Sequence, residues 1–246
     1  MLKFLFISFI YLISIISEPD TNKFAVFAHN FNTDDNSSFL TIINRILIEN
    51  RLVNDTLSND IINPSEYTKN LEKILEDVLI SESSFKVDSD QFYNNTVIAL
   101  VIANLADEVL RNYGHAFGVP SNVMLSMNFS KFINTNNASG AISSKMSEHV
   151  GHGQDGNNKT LTVINQASYL TALMTSDRML EIYDSELEDS VVDSPFGATA
   201  KLDLIHALYN LKNNIQIKAS PYKVMADVHG SIHPNLQVAY NLTLKR

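Results

Sequence analysis

The chain has 246 residues, 45% of them hydrophobic, a formal net charge of −9 and no cysteine. That length holds one large or two small domains with an ample apolar core. The absence of cysteine excludes a disulfide framework, thiol catalysis, thiolate metal sites and a cysteine-anchored lipoprotein. The acidity argues against a nucleic-acid binder, because no basic stripe is present to neutralise phosphates.

Met1-Leu2-Lys3 and the apolar run over residues 4–16 read as a secretory signal. One basic residue precedes a stretch shorter than the roughly 20 residues of a membrane span. Ser17 is the small residue at the expected cleavage site, so the expectation is a signal peptide over residues 1–17 and an extracytoplasmic or secreted product. Left uncleaved, the same segment would tether the protein to a membrane; no other segment is apolar enough to span one. Seven Asn-x-Ser/Thr sequons, at Asn36, Asn54, Asn94, Asn128, Asn137, Asn158 and Asn241, are near what so Asn-rich a chain carries by chance.

Helical periodicity dominates the remainder. Ser37 or Ser38 is the expected cap of a first helix with Phe39, Ile42, Ile43, Ile46 and Leu47 facing inward. Pro64-Ser65-Glu66 opens a second, with Leu71, Ile74, Leu75, Val78 and Leu79 as its stripe. Asp88 or Ser89 starts a third that runs to Tyr113, where Gly114 and Gly118-Val119-Pro120 stop it. From 121 to 161 the periodicity collapses into a segment rich in Asn, Ser, Gly and Met, expected to be the least regular of the mature chain. Asn165 caps a fourth helix through Tyr169, Leu173, Leu180 and Tyr183, ended by the acidic stretch 185–193. A fifth starts near Ala198, with Leu202, Ile205, Leu208, Leu211 and Ile215 inward. Ser220-Pro221 caps the sixth, whose core stripe is Val224, Val228 and Ile232 and which ends at His233-Pro234. The expected fold is all-α: an antiparallel bundle of about six helices, with an N-terminal helical segment over 18–86 and a bundle domain over 87–246 interrupted by the long irregular loop 121–161.

Met225, His229 and His233 recur at spacings of four on the sixth helix, so a thioether and two imidazoles project as one column beside the core stripe. The fifth and sixth helices are joined by a few residues and should form an antiparallel hairpin. That hairpin sets His206, with Asp203 one turn away, at nearly the height of His233. Imidazole suits copper, zinc, iron and nickel, and a methionine sulfur tilts the choice towards copper. The alternative role of such histidines is to interact with the last carbonyls of a helix. The loop adds Met124, Met127, Met146, His149 and His152, a flexible Met/His arrangement expected of a copper-collecting segment, although methionine also fills gaps in cores. His29 and His115 read as structural. Gly-x-Ser-x-Gly, His-Glu-x-x-His and a phosphate-cradling glycine loop are all absent, so the expectation is a protein that is not an enzyme.

Ala106-Asp107-Glu108-Val109-Leu110-x-x-Tyr113-Gly114-His115-Ala116 and Val224-Met225-x-x-Val228-His229-x-x-Ile232-His233-Pro234-Asn235-Leu236 resemble exported helical proteins of unknown function from ammonia-oxidising archaea, over about residues 95–242. In that group two helical blocks flank a variable Met/His-rich insert, and the insert here is poorer in both residues. The resemblance brings no activity; it implies a habitat of extracytoplasmic copper enzymes. The helix spacing is also similar, at the level of fold alone, to the extracytoplasmic helical domains of iron permeases. Two functions follow as expectations. The first is an extracytoplasmic helical protein that binds copper for storage or delivery. The second is a non-catalytic cell-surface or membrane-complex subunit that docks on the helices of a partner protein, with residues 18–86 as docking module.

Overall fold

The computed structural model describes residues 34–59, 68–74, 86–126, 162–190 and 195–242. All regular structure among them is helical, and the helices pack together as an all-α bundle. The helices are α1 (Asp35–Asn59), α2 (Asn95–Ala116), α3 (Ser121–Ser126), α4 (Gln166–Ile182), α5 (Pro195–Gln216), α6 (Pro221–Asp227) and α7 (His233–Tyr240). Residues 68–74 are also helical. The segment read as a signal over residues 1–17, His29, Met127, Met146, His149 and His152 lie outside the described residues.

Helix α2 is the centre of the bundle, because its sequence is apolar almost all round and such a helix must be covered on every side. Seventeen of its residues are buried, from Val97 to Ala116. It pairs most broadly with α4, and α1, α3, α6 and α7 cover its other sides; α5 packs on α4 and α7. The caps follow the expected chemistry: Asn165 accepts from the Ser168 amide and Ser220 from the Lys223 amide, with Pro221 in the first turn.

Several elements depart from the sequence reading. Asp34, not a serine, opens α1, accepting from the Ser37 amide at 2.6 Å. Ile43 and Leu47 lie outward, while Ser37, Thr41 and Glu49 are buried with Ile42 and Ile48. The helix is rotated because its polar groups find partners on α2 and α4: the Asn104 amide donates to the Thr41 hydroxyl, and the Thr171 hydroxyl donates to Glu49. Ser89–Gln91 is a separate 3-10 turn, and α2 begins only after Asn94, whose side chain caps the Thr96 amide. Gly114 does not stop α2. It admits α3: a Cβ there would lie 2.5 Å from Met124 Cγ and 2.8 Å from the Val119 carbonyl oxygen. Gly118, at φ 74°, makes the turn instead. Within the expected irregular segment, residues 121–126 form α3, and its Met124 is fully buried in the core, so that methionine is packing. On α5 the core positions are Ala200, Leu204, Ala207, Leu208, Leu211 and Ile215, and Leu202 is exposed.

Helix α6 does not end at His233-Pro234. It passes through a π-helical turn, Val228–Ile232, into α7, and the His233 amide bonds back five residues to the Val228 carbonyl. Proline explains the widening. Pro234 has no N–H to donate, and its ring collides with the carbonyl four residues back, that of Gly230. One extra residue in the turn removes the conflict and rotates everything beyond it by about 100° relative to an uninterrupted α-helix. His233 therefore takes an inward position, and Val224, Val228, Ile232 and Leu236 remain core residues. The turn joining α5 to α6 is held from inside: the Tyr113 hydroxyl donates to the Ala219 carbonyl at 2.6 Å and the Tyr169 hydroxyl to that of Ile215 at 3.1 Å.

Candidate metal centre

The π turn brings His229 and His233 together, with ring centroids 5.3 Å apart and planes at 76°. Their surroundings differ. His229 is half-buried, and its Nε2 lies 3.1 Å from the Met124 carbonyl oxygen. A carbonyl only accepts, so Nε2 carries a proton. His233 is 5% exposed, and its Nε2 lies 3.7 Å from Oδ1 of Asp107, which is 1% exposed. Burial pushes the His233 pKa down to about 3, with the electrostatic effect of the neighbouring His229 adding to that and a bond to the Ala103 carbonyl opposing it. At neutral pH the ring is uncharged, the form that ligates metals.

Met225 is 2% exposed and packs within the main core. Asp203 and His206 sit at exposed positions of α5, which does pack against the π turn and α7 as the hairpin expectation required. Among the described residues, no three His, Cys, Asp or Glu side chains stand as a group that could hold a metal ion. What the structure assembles is thus a pair of histidines with one carboxylate behind the inner ring.

Asp107 was missed as a partner of this pair. Its signal was present in the sequence: a charged dipeptide inside a helix that is otherwise buried on all sides must be compensated by another element. The same signal marks Glu108, which turns the other way. Its carboxylate lies 2.7 Å from Arg111 Nη1 and 3.8 Å from Arg45 Nε. Burial would raise its pKa, but the two guanidinium groups reverse that and hold it below the ordinary value.

No protein family, characterised protein or solved structure matches this chain. The likeness to exported archaeal helical proteins rests on the quoted residues alone.

Proposed function

We propose that the protein is a non-enzymatic helical binder of a transition metal, copper foremost, at His229 and His233, serving storage or delivery outside the cytoplasm. The observation that carries the reading is the 3.7 Å between His233 Nε2 and Asp107 Oδ1. That span exceeds a hydrogen bond, and it is what an ion bonded to both atoms at about 2.1 Å sets at an angle near 120°. His229, whose Nε2 bonds the Met124 carbonyl, contributes the second imidazole. That bond is the type of outer contact that fixes the tautomer of a ligating histidine. The donors are taken as pairs, two imidazoles or an imidazole with a carboxylate, because the three side chains do not stand as one group; for such donors copper stands highest in the divalent series. Met146, His149 and His152 remain the candidates for a looser collecting site.

Titration of metal-stripped protein with copper is the test. The expected result is about one tight ion per chain and a raised melting temperature, since a ligand that binds only the folded state stabilises it. His229→Gln should lower copper affinity by more than roughly tenfold, the low end of what loss of a supporting contact costs a metal site. Unchanged binding in His229→Gln, or no binding by the wild type, overturns the reading.

The second reading, a subunit that docks on partner helices, is favoured by one observation. Leu202 and Tyr209 are 64% and 54% exposed on α5 and share a face with His206. No described helix is long and apolar enough to cross a membrane, so such a contact would be made by helix faces. A metal-free protein recovered with membrane partners would support it.

A further inference from the structure

Four of the Asn-x-Ser/Thr sequons begin within the described residues, at Asn36, Asn54, Asn94 and Asn241. A glycan-transferring enzyme must reach both side chains of a sequon, the asparagine amide that is substituted and the hydroxyl two residues on. On an α-helix those two side chains are about 200° apart and face different ways. That geometry disqualifies Asn36 and Asn54, which lie on α1. At Asn36 the hydroxyl residue, Ser38, is also 7% exposed, and Oδ1 of Asn36 accepts from the Asp88 amide at 2.7 Å. At Asn241 the hydroxyl residue, Thr243, lies outside the described residues. Asn94 differs on each count. It stands between the 3-10 turn and α2 in an extended conformation (φ −72°, ψ 125°), and both it and Thr96 are exposed. Its carboxamide folds over the threonine, with Oδ1 accepting from the Thr96 amide at 2.9 Å. That capping bond occupies only the oxygen. Nδ2 has two N–H groups and donates one to Oε1 of the exposed Gln91 at 3.4 Å, which leaves one for substitution.

We infer that Asn94 is the acceptor of an N-linked glycan, with a polyprenyl-diphosphate-linked oligosaccharide as the donor. In the transfer, Asn94 Nδ2 attacks the anomeric carbon of the donor. A C–N bond forms, the anomeric C–O bond to phosphate breaks, the polyprenyl diphosphate leaves with the electron pair, and Nδ2 releases one proton. The product keeps Oδ1 and one N–H, so the cap of α2 survives the modification. The inference rests on the reading that the protein acts outside the cytoplasm, the setting of this chemistry. It shares no residue with the His229/His233 centre, so the metal assignment and this one fail separately.

The test is incubation of the folded full chain with a single-subunit oligosaccharyltransferase and a polyprenyl-diphosphate-linked oligosaccharide, followed by peptide mass spectrometry. The reaction in solution needs no export, so its failure is distinct from failure of the extracytoplasmic reading. The expected result is the glycan mass on Asn94 and none on Asn36 or Asn54. Asn94→Asp, which keeps a capping oxygen, should abolish the product at this position and leave the melting temperature unchanged. Thr96→Val, which keeps the Asn94 amide and removes the hydroxyl, should abolish it as well, and Thr96→Ser should retain it. An Asn94 peptide that stays unmodified, equal transfer to Asn36 or Asn54, or modification of Asn94 that survives Thr96→Val overturns the inference. So does a bare Asn94 in protein recovered from outside its own cells.

Discussion

Asp107 and Glu108 are adjacent in sequence, lie on the same buried helix, and solve the problem of a buried carboxylate in different ways. Glu108 faces α1 and sits between two guanidinium groups that keep it ionised. Asp107 faces α7 and meets the neutral ring of His233 at 3.7 Å. On one side the charge is compensated by arginines within the fold. On the other the carboxylate lies beside an imidazole that burial keeps neutral.

That contrast can be broken most directly at Glu108. Glu108→Ala strands Arg45 and Arg111 beside each other in the interior, and breaking a buried ion pair from one side costs about 3–5 kcal/mol. Urea denaturation should show a loss of that size; a loss below about 1 kcal/mol, the range of exposed pairs, would mean that water reaches the cluster and that the two sides of α2 are alike.

The next effect separates the two sides by pH. The folded pKa of His233 is depressed to about 3 from an ordinary 6.5, so between those values the unfolded chain binds the extra proton. Stability contributed by the neutral ring is complete above about 6.5 and falls as pH drops towards 3, by about 2 kcal/mol between pH 7 and pH 5. Glu108, with its pKa lowered from 4.5, loses its contribution only in the more acid window below that value. Glu49, raised by burial, has the opposite sign and is stabilising as pH falls. Comparing metal-stripped wild type with His233→Gln cancels both glutamates. The wild type should lose about 2 kcal/mol more than the variant over that interval, and parallel curves would show that the ring is hydrated.

The smallest effect lies at Thr41, where α1 meets α2. Thr41→Val removes the hydroxyl that accepts from the buried Asn104 amide. The expected loss is about 1–2 kcal/mol in thermal melts, the cost of a buried donor left without its acceptor. A neutral substitution would show that Asn104 finds another acceptor, and would assign α1 a looser hold on α2.

Most of the fold was legible because it rests on repeating signals. The period of apolar residues, the caps at Asn165 and Ser220, and the short α5–α6 connection all act locally, and each is visible in a few consecutive residues. What escaped was set by tertiary contacts. The rotation of α1 depends on Thr41 and Glu49 finding partners more than 60 residues away. Gly114 looked like a stop because glycine ends helices, but its missing side chain serves the close approach of Met124. For the site, the spacing of His229 and His233 identified the pair. It did not give their directions, because spacing assumes an unbroken α-helix and Pro234 imposes a wider turn. The partners of Asp107 and Glu108 were hidden for a different reason: charges inside a buried helix announce that partners exist without saying which helix carries them.

The two tyrosines that reach the α5–α6 turn give that turn an unusual standing. Connections between helices normally open first and independently of the interior. Here the carbonyls at either end of the turn, those of Ile215 and Ala219, are gripped by hydroxyls from α4 and α2, and Lys218 between them holds φ 55° with its ammonium group over the Tyr169 ring. The hinge of the hairpin is thereby fastened to the two innermost helices. α5 cannot swing away from α6 and α7 as a flap, so the hairpin bearing the histidine pair breathes with the whole bundle or not at all.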